Sequence, residues 1–154
     1  MITPDPQTLL LSVALVLALW LLLRVRGREE RDRRPKRANP LTPDELGRTV
    51  FQIARGADLD AFRALFLTGA EAAEMLGEDA PRYLEQRTLA AMEESLVNIA
   101  ARIPEGSVFG GAIVPPSGEA ILYAKDADGG KAEVPMGTAI KVRHVWRLHG
   151  LVRS

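Results

Sequence analysis

The hydrophobic pattern divides the chain into four stretches of different character. Residues 8–25 are almost continuously apolar, whereas residues 26–40 are charged and contain hardly any apolar side chains. Apolar residues then recur at helical spacing up to residue 103, and after that they alternate with polar ones. The pattern therefore predicts an apolar helix, a polar linker and a folded domain in which helices precede strands.

The apolar stretch is typical of a single membrane-spanning helix. Residues 8–23 include nine leucines and carry no charge. At ~1.5 Å per residue they span about 24 Å, and Gln7, Arg24 and Val25 extend this towards the ~30 Å of a bilayer core. A cleaved signal peptide and a buried core helix are the alternatives, but a signal peptide has a basic segment before its apolar stretch, and residues 1–7 contain no lysine or arginine. We therefore predict a transmembrane helix over residues 8–25.

Basic residues follow the apolar stretch and predict its orientation. Residues 24–37 hold eight basic against three acidic side chains, a balance of +5. Lysine and arginine close to a span stay on the cytoplasmic side, so residues 1–7 are expected outside the cell (inner) membrane and the rest of the chain inside. Binding of anionic lipid headgroups is an alternative role for the same charges. The residues predicted to set the topology are Arg24, Arg26, Arg28, Arg31, Arg33, Arg34, Lys36 and Arg37.

The charged segment, residues 26–40, is too polar to bury a core and is interpreted as a flexible tether. The cytoplasmic domain is predicted to occupy residues 41–154, in which 16 acidic side chains face 12 basic ones. The whole chain has 20 basic and 20 acidic residues and no cysteine. The zero net charge is therefore the sum of a basic segment and an acidic domain. The lack of cysteine excludes disulfides, thiolate metal sites and cysteine catalysis.

The first part of the domain contains residue patterns that predict helices. Thr42, Pro43 and Glu45 form a capping box that starts a helix, and Gly56 is expected to cap its end in a left-handed conformation. Apolar residues three and four positions apart, from Leu84 to Ile103, predict one long helix. The predicted helices cover residues 43–55, 59–68, 70–76 and 80–103.

Strand signals replace the helical period after Pro104. Turn residues at 115–118 and the Asp128-Gly129 pair separate the first strands, while Pro135 and Gly137 mark a bulge, a tight turn or a sheet edge. The predicted strands cover residues 108–114, 119–125, 131–136 and 138–149. The expected fold class is α+β, with an N-terminal transmembrane helix followed by helices packed on a four-stranded antiparallel meander.

In the order of its elements, the segment 41–154 resembles the nuclear transport factor 2-like and SnoaL-like superfamily of cystatin-like α+β proteins. The resemblance is carried by the early helices, the Asp58-Leu59-Asp60-Ala61-Phe62 start of the second helix, the long helix and a last strand that carries Trp146. It implies a cone-shaped domain. Members include small-molecule enzymes, binding modules and membrane-tethered assembly domains, so the resemblance leaves these functions open.

Three residues of the strand region are candidates for a ligand pocket: Tyr123, His144 and Trp146. In the predicted last strand His144 faces the core beside Trp146, where an imidazole is able to act as a base, and Tyr123 faces the same way from a neighbouring strand. A core histidine bonded to the backbone is the other interpretation, because no carboxylate is placed to orient the ring. His144 and His149 fall on opposite faces of the strand and cannot share an ion. No catalytic residue, metal or cofactor is predicted.

The opposite face of the last predicted strand is basic and is the candidate partner surface, with Lys141, Arg143, Val145 and Arg147. Nucleic acid is not expected as a partner, because the domain is net acidic and lacks interleaved aromatic residues. We therefore predict a non-enzymatic protein-interaction or assembly module that meets the bilayer through residues 8–25 and binds a protein partner or a second copy. The alternative is a small-molecule-binding or SnoaL-like enzymatic domain with a pocket under the long helix.

Overall fold

The computed structural model describes residues 14–20 and 37–152. The chain divides into two compact units, Met1–Lys36 and Arg37–Ser154. In the first unit, residues 14–20 are helical. The other positions predicted as extracytoplasmic terminus, span or tether, residues 1–13 and 21–36, lie outside the described residues. Within the described part of the chain, no helix has both the length and the apolar character needed to cross a membrane.

The second unit confirms the α+β class and the antiparallel sheet. Its strands pair in the order β1-β2-β3-β4, which is the predicted meander. The helices are α1 (Pro43–Gly56), α2 (Leu59–Ala64), α3 (Gly69–Leu76), α4 (Ala80–Tyr83) and α5 (Met92–Arg102). The strands are β1 (Val108–Ile113), β2 (Glu119–Lys125), β3 (Lys131–Val142) and β4 (Val145–Gly150).

The first helix begins as its capping signal predicts. The Thr42 hydroxyl accepts a hydrogen bond from the Glu45 amide at 3.1 Å, and the Glu45 carboxylate accepts one from the Leu41 amide at 2.7 Å. The end of the helix differs from the prediction. Gly56 is its last residue, and Ala57 takes the left-handed conformation with φ of 49°. An alanine therefore occupies the position that favours glycine.

The predicted long helix over residues 80–103 is interrupted. After α4, a π-helical turn (Leu84–Thr88) and a 3-10 turn (Leu89–Ala91) precede α5. A π turn holds more residues than an α turn, so it rotates the apolar stripe of the helix. As a result Leu89 is 36% exposed, although the helical period assigned it to the core. Helix α2 is also shorter than the predicted 59–68, because residues 65–67 leave the helix to meet β4.

The last two predicted strands are divided at the wrong place. Strand β3 continues through Gly137, and the chain reverses at Arg143 and His144. Arg143 has φ of 59°, a conformation that few residues other than glycine adopt. Val142 pairs with Val145 across this two-residue turn. The residues on one face of the sheet therefore have even numbers before the turn and odd numbers after it. The prediction of one strand over residues 138–149 missed this switch.

The sheet bends where β3 meets both of its neighbours. The register shifts between Ala120 and Ile121 on one side of β3 and between Thr138 and Ala139 on the other. Gly137 has φ of 107°, and a Cβ atom there would overlap the carbonyl oxygen of Gly150. Such bulges bend a strand and increase its twist.

Because of this bend, the sheet packs on both of its faces. The main core lies between α1, α5 and the inner face, and its largest fully buried side chains are Phe62, Leu46, Leu65, Met92, Ile99, Leu122, Met136 and Leu148. A second cluster on the outer face joins Leu67, Ala72 and Leu84 to Val142. The chain crosses from the main core to the second cluster at the edge of β4, where the Leu67 amide donates a hydrogen bond to the Leu148 carbonyl at 3.0 Å.

Exchanging the two residues at the end of α1 is expected to stabilise the domain. Gly56→Ala removes a helical glycine at a position where an added Cβ meets no atom, and Ala57→Gly relieves the left-handed backbone. The double variant should gain about 1–2 kcal/mol in unfolding free energy. Chemical denaturation measures this, and a double variant no more stable than wild type would contradict the cap geometry.

Alanine at Gly137 is expected to destabilise the domain far more than alanine at Gly129. Both glycines have a positive φ, but the space around Gly129 is open, whereas a Cβ at Gly137 meets backbone. The expected losses are about 1 kcal/mol for Gly129→Ala and about 3 kcal/mol or more for Gly137→Ala. Equal losses in a denaturation series would show that the bend does not depend on this close approach.

Candidate functional site

The three residues predicted to share a ligand pocket lie apart. Tyr123 is on the outer face of β2, opposite the buried side chains of Leu122 and Ala124. His144 is exposed in the turn between β3 and β4. Trp146 packs on the main core, part-buried. The space expected under the long helix holds the buried side chains of Met92 and Leu96. The prediction of a common pocket is therefore wrong, because Tyr123 and Trp146 lie on opposite faces of the sheet and His144 is in an exposed turn.

The predicted basic stripe is also broken. Lys141 and Arg143 are exposed, but Val145 is part-buried and Arg147 is only 3% exposed. Arg147 pairs with Ile140 across β3 and β4, on the outer face that the second cluster covers. The assignment of Arg147 to a free partner surface is therefore wrong, because the face opposite the main core, where the alternation placed it, is covered at this point.

Arg147 instead binds the start of the folded unit. Its guanidinium donates to the carbonyl oxygen of Ala38 at 2.5 Å and to Oδ1 of Asn39 at 2.6 Å. The backbone amide of Trp146 donates to the carbonyl of Pro40 at 2.8 Å. These bonds hold residues 38–40 along the outer edge of β4, so this part of the predicted tether belongs to the domain.

Arg37, predicted to set membrane topology, is a structural residue of the same edge. It donates to the carbonyl oxygens of Ala64 at 3.1 Å and Phe66 at 3.0 Å. It also forms a two-pronged ion pair with Glu71, at 3.2 and 2.8 Å. Glu71 in turn accepts the Thr68 amide at 2.9 Å as part of the capping box of α3. We call Arg37, Glu71 and Arg147 the edge clasp.

The electrostatics of the edge clasp are those of a structural ion-pair cluster. The hydrogen bonds from Arg37 lower the pKa of Glu71 from 4.5 to about 2, against the opposing effect of burial. Burial lowers the pKa of Arg147 from its ordinary value, and the nearby Arg37 adds to this effect. A charged guanidinium presents several donors in a fixed plane, which suits the carbonyl and carboxylate acceptors collected here. The clasp thus joins residue 37 to α3 and β4.

Among the described residues, neither hydrophobic cluster covers the outer face of β1, β2 and the first half of β3, which we call the open face. The register aligns Ile113, Ile121 and Pro135 in one row across the strands and Tyr123 with Glu133 in the next. Lys125 and Lys131 form a row at one end, and Glu119 pairs with Thr138 at the other. Ile113 is 45% exposed and the four charged residues are exposed, whereas Ile121, Tyr123 and Pro135 are part-buried. The open face thus has a basic end, an acidic end and a centre that is apolar except for Glu133.

A shallow groove borders the acidic end of the open face. Its volume is about 380 Å³, and it lies between Glu119, Ile121, Thr138 and the residues that follow β4, Leu151 and Val152. None of these groups is a nucleophile held by a base. Among residues 14–20 and 37–152, no three His, Asp or Glu side chains are placed to hold a metal ion. The groove is lined by polar side chains, Ser117, Glu119 and Thr138, as well as by apolar ones.

Comparison of the chain with known proteins finds no match. The chain matches no protein-family model, no curated protein and no solved structure.

Two features of the site had signals in the sequence that point to them. Thr68 and Glu71 stand at capping-box spacing. In β2, the small or apolar residues at 120, 122 and 124 alternate with Glu119 and Lys125, which places the odd positions on the solvent side. The contacts of Arg37 and Arg147 had no such signal, because they join positions far apart in the chain.

Neutralising Glu71 is expected to weaken the domain and to change its acid stability. The folded-state pKa is depressed, so the charged carboxylate stabilises the fold fully above pH 4.5, and this stabilisation is lost as the pH falls from 4.5 towards 2. Glu71→Gln should lower the unfolding free energy by about 1–2 kcal/mol at pH 7 and flatten its pH dependence in that window.

Glu74→Gln is the matched control, because Glu74 lies on the same helix and is exposed. It should leave both the stability and its pH profile close to wild type. Denaturation curves collected from pH 2 to pH 7 separate the two variants. The role given to the clasp would fail if both variants behaved alike.

Proposed function

We propose that this protein is anchored in the cell (inner) membrane by a single helix over residues 8–25, and that its α+β domain is a cytoplasmic protein-interaction or assembly module. The domain does no chemistry in this proposal. Residues 1–7 face the outside, and the basic residues after the span keep the domain inside. The resemblance to the nuclear transport factor 2-like superfamily, which includes membrane-tethered assembly domains, stays a prediction that agrees with this role.

The observation that carries the proposal is the exposure of apolar side chains in the helical residues 14–20. Leu15 and Val16 are each 67% exposed, and Leu17, Leu19 and Trp20 are all more than half exposed. A helix that is apolar on every side and exposed is unfavourable in water and favourable in lipid. Each central leucine favours insertion by roughly 0.3–0.6 kcal/mol.

The domain supports the interaction part of the proposal through its open face. Exposed apolar side chains surrounded by charged ones are typical of protein-binding surfaces. The sequence predicted the binding surface at Lys141 to Arg147, but two of its four residues are withdrawn from solvent. The open face of β1 to β3 is therefore the better candidate for the interaction.

Membrane retention tests the anchor. In cells that make the full chain, the protein should remain in the membrane pellet after alkaline carbonate extraction. Leu15→Arg with Leu19→Arg should move it to the supernatant, because each arginine at the centre of a span opposes insertion by about 2.5–3.5 kcal/mol. Leu89→Arg, at a partly exposed leucine of the domain, should leave it in the pellet.

Protease accessibility tests the orientation. A tag after residue 154 should resist protease added to intact spheroplasts and be cleaved in inverted membrane vesicles. A wild-type chain released by carbonate, or a tag cleaved in spheroplasts, would contradict the proposed topology.

A further inference from the structure

The charges of the open face are arranged so that the surface is complementary to itself. Lys125 and Lys131 face each other at one end of the strand pair, and Glu119 lies at the other end. Between them lie the apolar row of Ile113, Ile121 and Pro135 and the ring of Tyr123. Glu133, the remaining charge, stands beside Tyr123.

We propose that the open face docks onto the open face of a second copy of this chain, with a two-fold axis that runs across the strands. This rotation places β2 over β2 in the opposite direction. The basic end of one copy then meets the acidic end of the other, so Lys125 lies over Glu119 and Tyr123 over Ile121. The inference rests on the proposed interaction role and names its partner.

The alternative two-fold axis, parallel to the strands, is unfavourable. It would superpose the lysine rows of the two copies, because each row would face its own equivalent. Like charges placed opposite each other oppose association, whereas opposite charges steer it. The distribution of charge therefore selects one of the two symmetric arrangements, and in that arrangement each contact occurs twice.

The size of the open face indicates a weak dimer. Strand β2 has seven residues, which at ~3.3 Å each span about 23 Å, and three strands ~4.8 Å apart give a footprint of roughly 300 Å². Stable dimers bury about 800 Å² per partner. In the proposed function both copies are confined to one membrane, which raises their effective concentration and favours a contact of this small size.

Crosslinking of the full chain in native membranes tests the inference. Because the chain has no native cysteine, a thiol-specific crosslinker reacts only with the cysteine that is introduced. The reporter is Ile113→Cys, because in the proposed dimer the two copies of residue 113 lie about 7 Å apart along the strand direction. A short thiol-specific crosslinker should give dimers on a denaturing gel. Val97→Cys, on the exposed side of α5, is the control cysteine and should give at least fivefold less.

Charge exchange in the reporter background tests the arrangement. Lys125→Glu places two carboxylates opposite each other at both ends and should reduce the dimer at least fivefold. Adding Glu119→Lys to the same chain restores complementarity and should return the dimer to within about twofold of the reporter. Lys141→Glu changes the same charge on an exposed residue outside the open face and should leave the dimer unchanged.

The inference is overturned if Ile113→Cys crosslinks no better than Val97→Cys, if Lys125→Glu has no effect, if Glu119→Lys fails to restore the dimer, or if Lys141→Glu abolishes it. The same membranes are extracted with carbonate. A chain that stays in the pellet without crosslinking at residue 113 overturns the self-association alone. A chain that leaves the pellet overturns the proposed anchor, whichever crosslinks form.

Discussion

The close approach of Gly137 to Gly150 is the constraint on which the rest of the domain depends. No other residue type leaves room for the carbonyl of Gly150 at that point, and the positive φ of Gly137 suits glycine alone. The bend made there changes which side chains of β3 face the helices. Before it, Val134 and Met136 are buried in the main core; after it, Val142 joins the second cluster on the outer face. One strand thus contributes to two cores, and only the first half of its outer face remains uncovered.

The two edge strands of the sheet, β1 and β4, are protected from pairing with other chains by different contacts. Residues 37–40 and 65–67 cover the edge of β4, and the edge clasp holds them there. At the other edge, the Asp44 carboxylate at the start of α1 accepts the Ala112 amide at 2.8 Å. Exposed strand edges invite unwanted pairing with other chains, and charged or covered edges prevent it. The proposed contact with a second copy accordingly uses the side chains of the open face and not a strand edge.

The parts of the fold that the sequence predicted are those encoded locally. The capping box at Thr42, the turn at Asp128-Gly129 and the bounds of β2 each depend on a few neighbouring residues, and each is found in the structure. The second cluster joins positions far apart in the chain, and the π turn and the reversal at Arg143 have no such local signal. Arg143 is a residue that turn preferences would not select for φ of 59°. The pocket failed as a prediction because Tyr123 and Trp146 lie on opposite faces of the sheet and the reversal leaves His144 exposed in a turn.

The positions of Arg37 and Arg147 were not predictable from their charge alone. Arg37 belongs by sequence to the basic segment after the span, yet its guanidinium is held by two carbonyl oxygens and Glu71 within the domain. Arg147 is buried, and its Nε atom has no hydrogen-bond partner in the described part of the chain. A buried cation tolerates this only because its other nitrogens bind Ala38 and Asn39. With Arg147 withdrawn from the surface, the exposed charges of the open face are Lys125 and Lys131 at one end, Glu119 at the other end and Glu133 beside Tyr123. In the proposed dimer the order of these charges along the strands, and not the net charge of the domain, places Lys125 over Glu119 of the second copy.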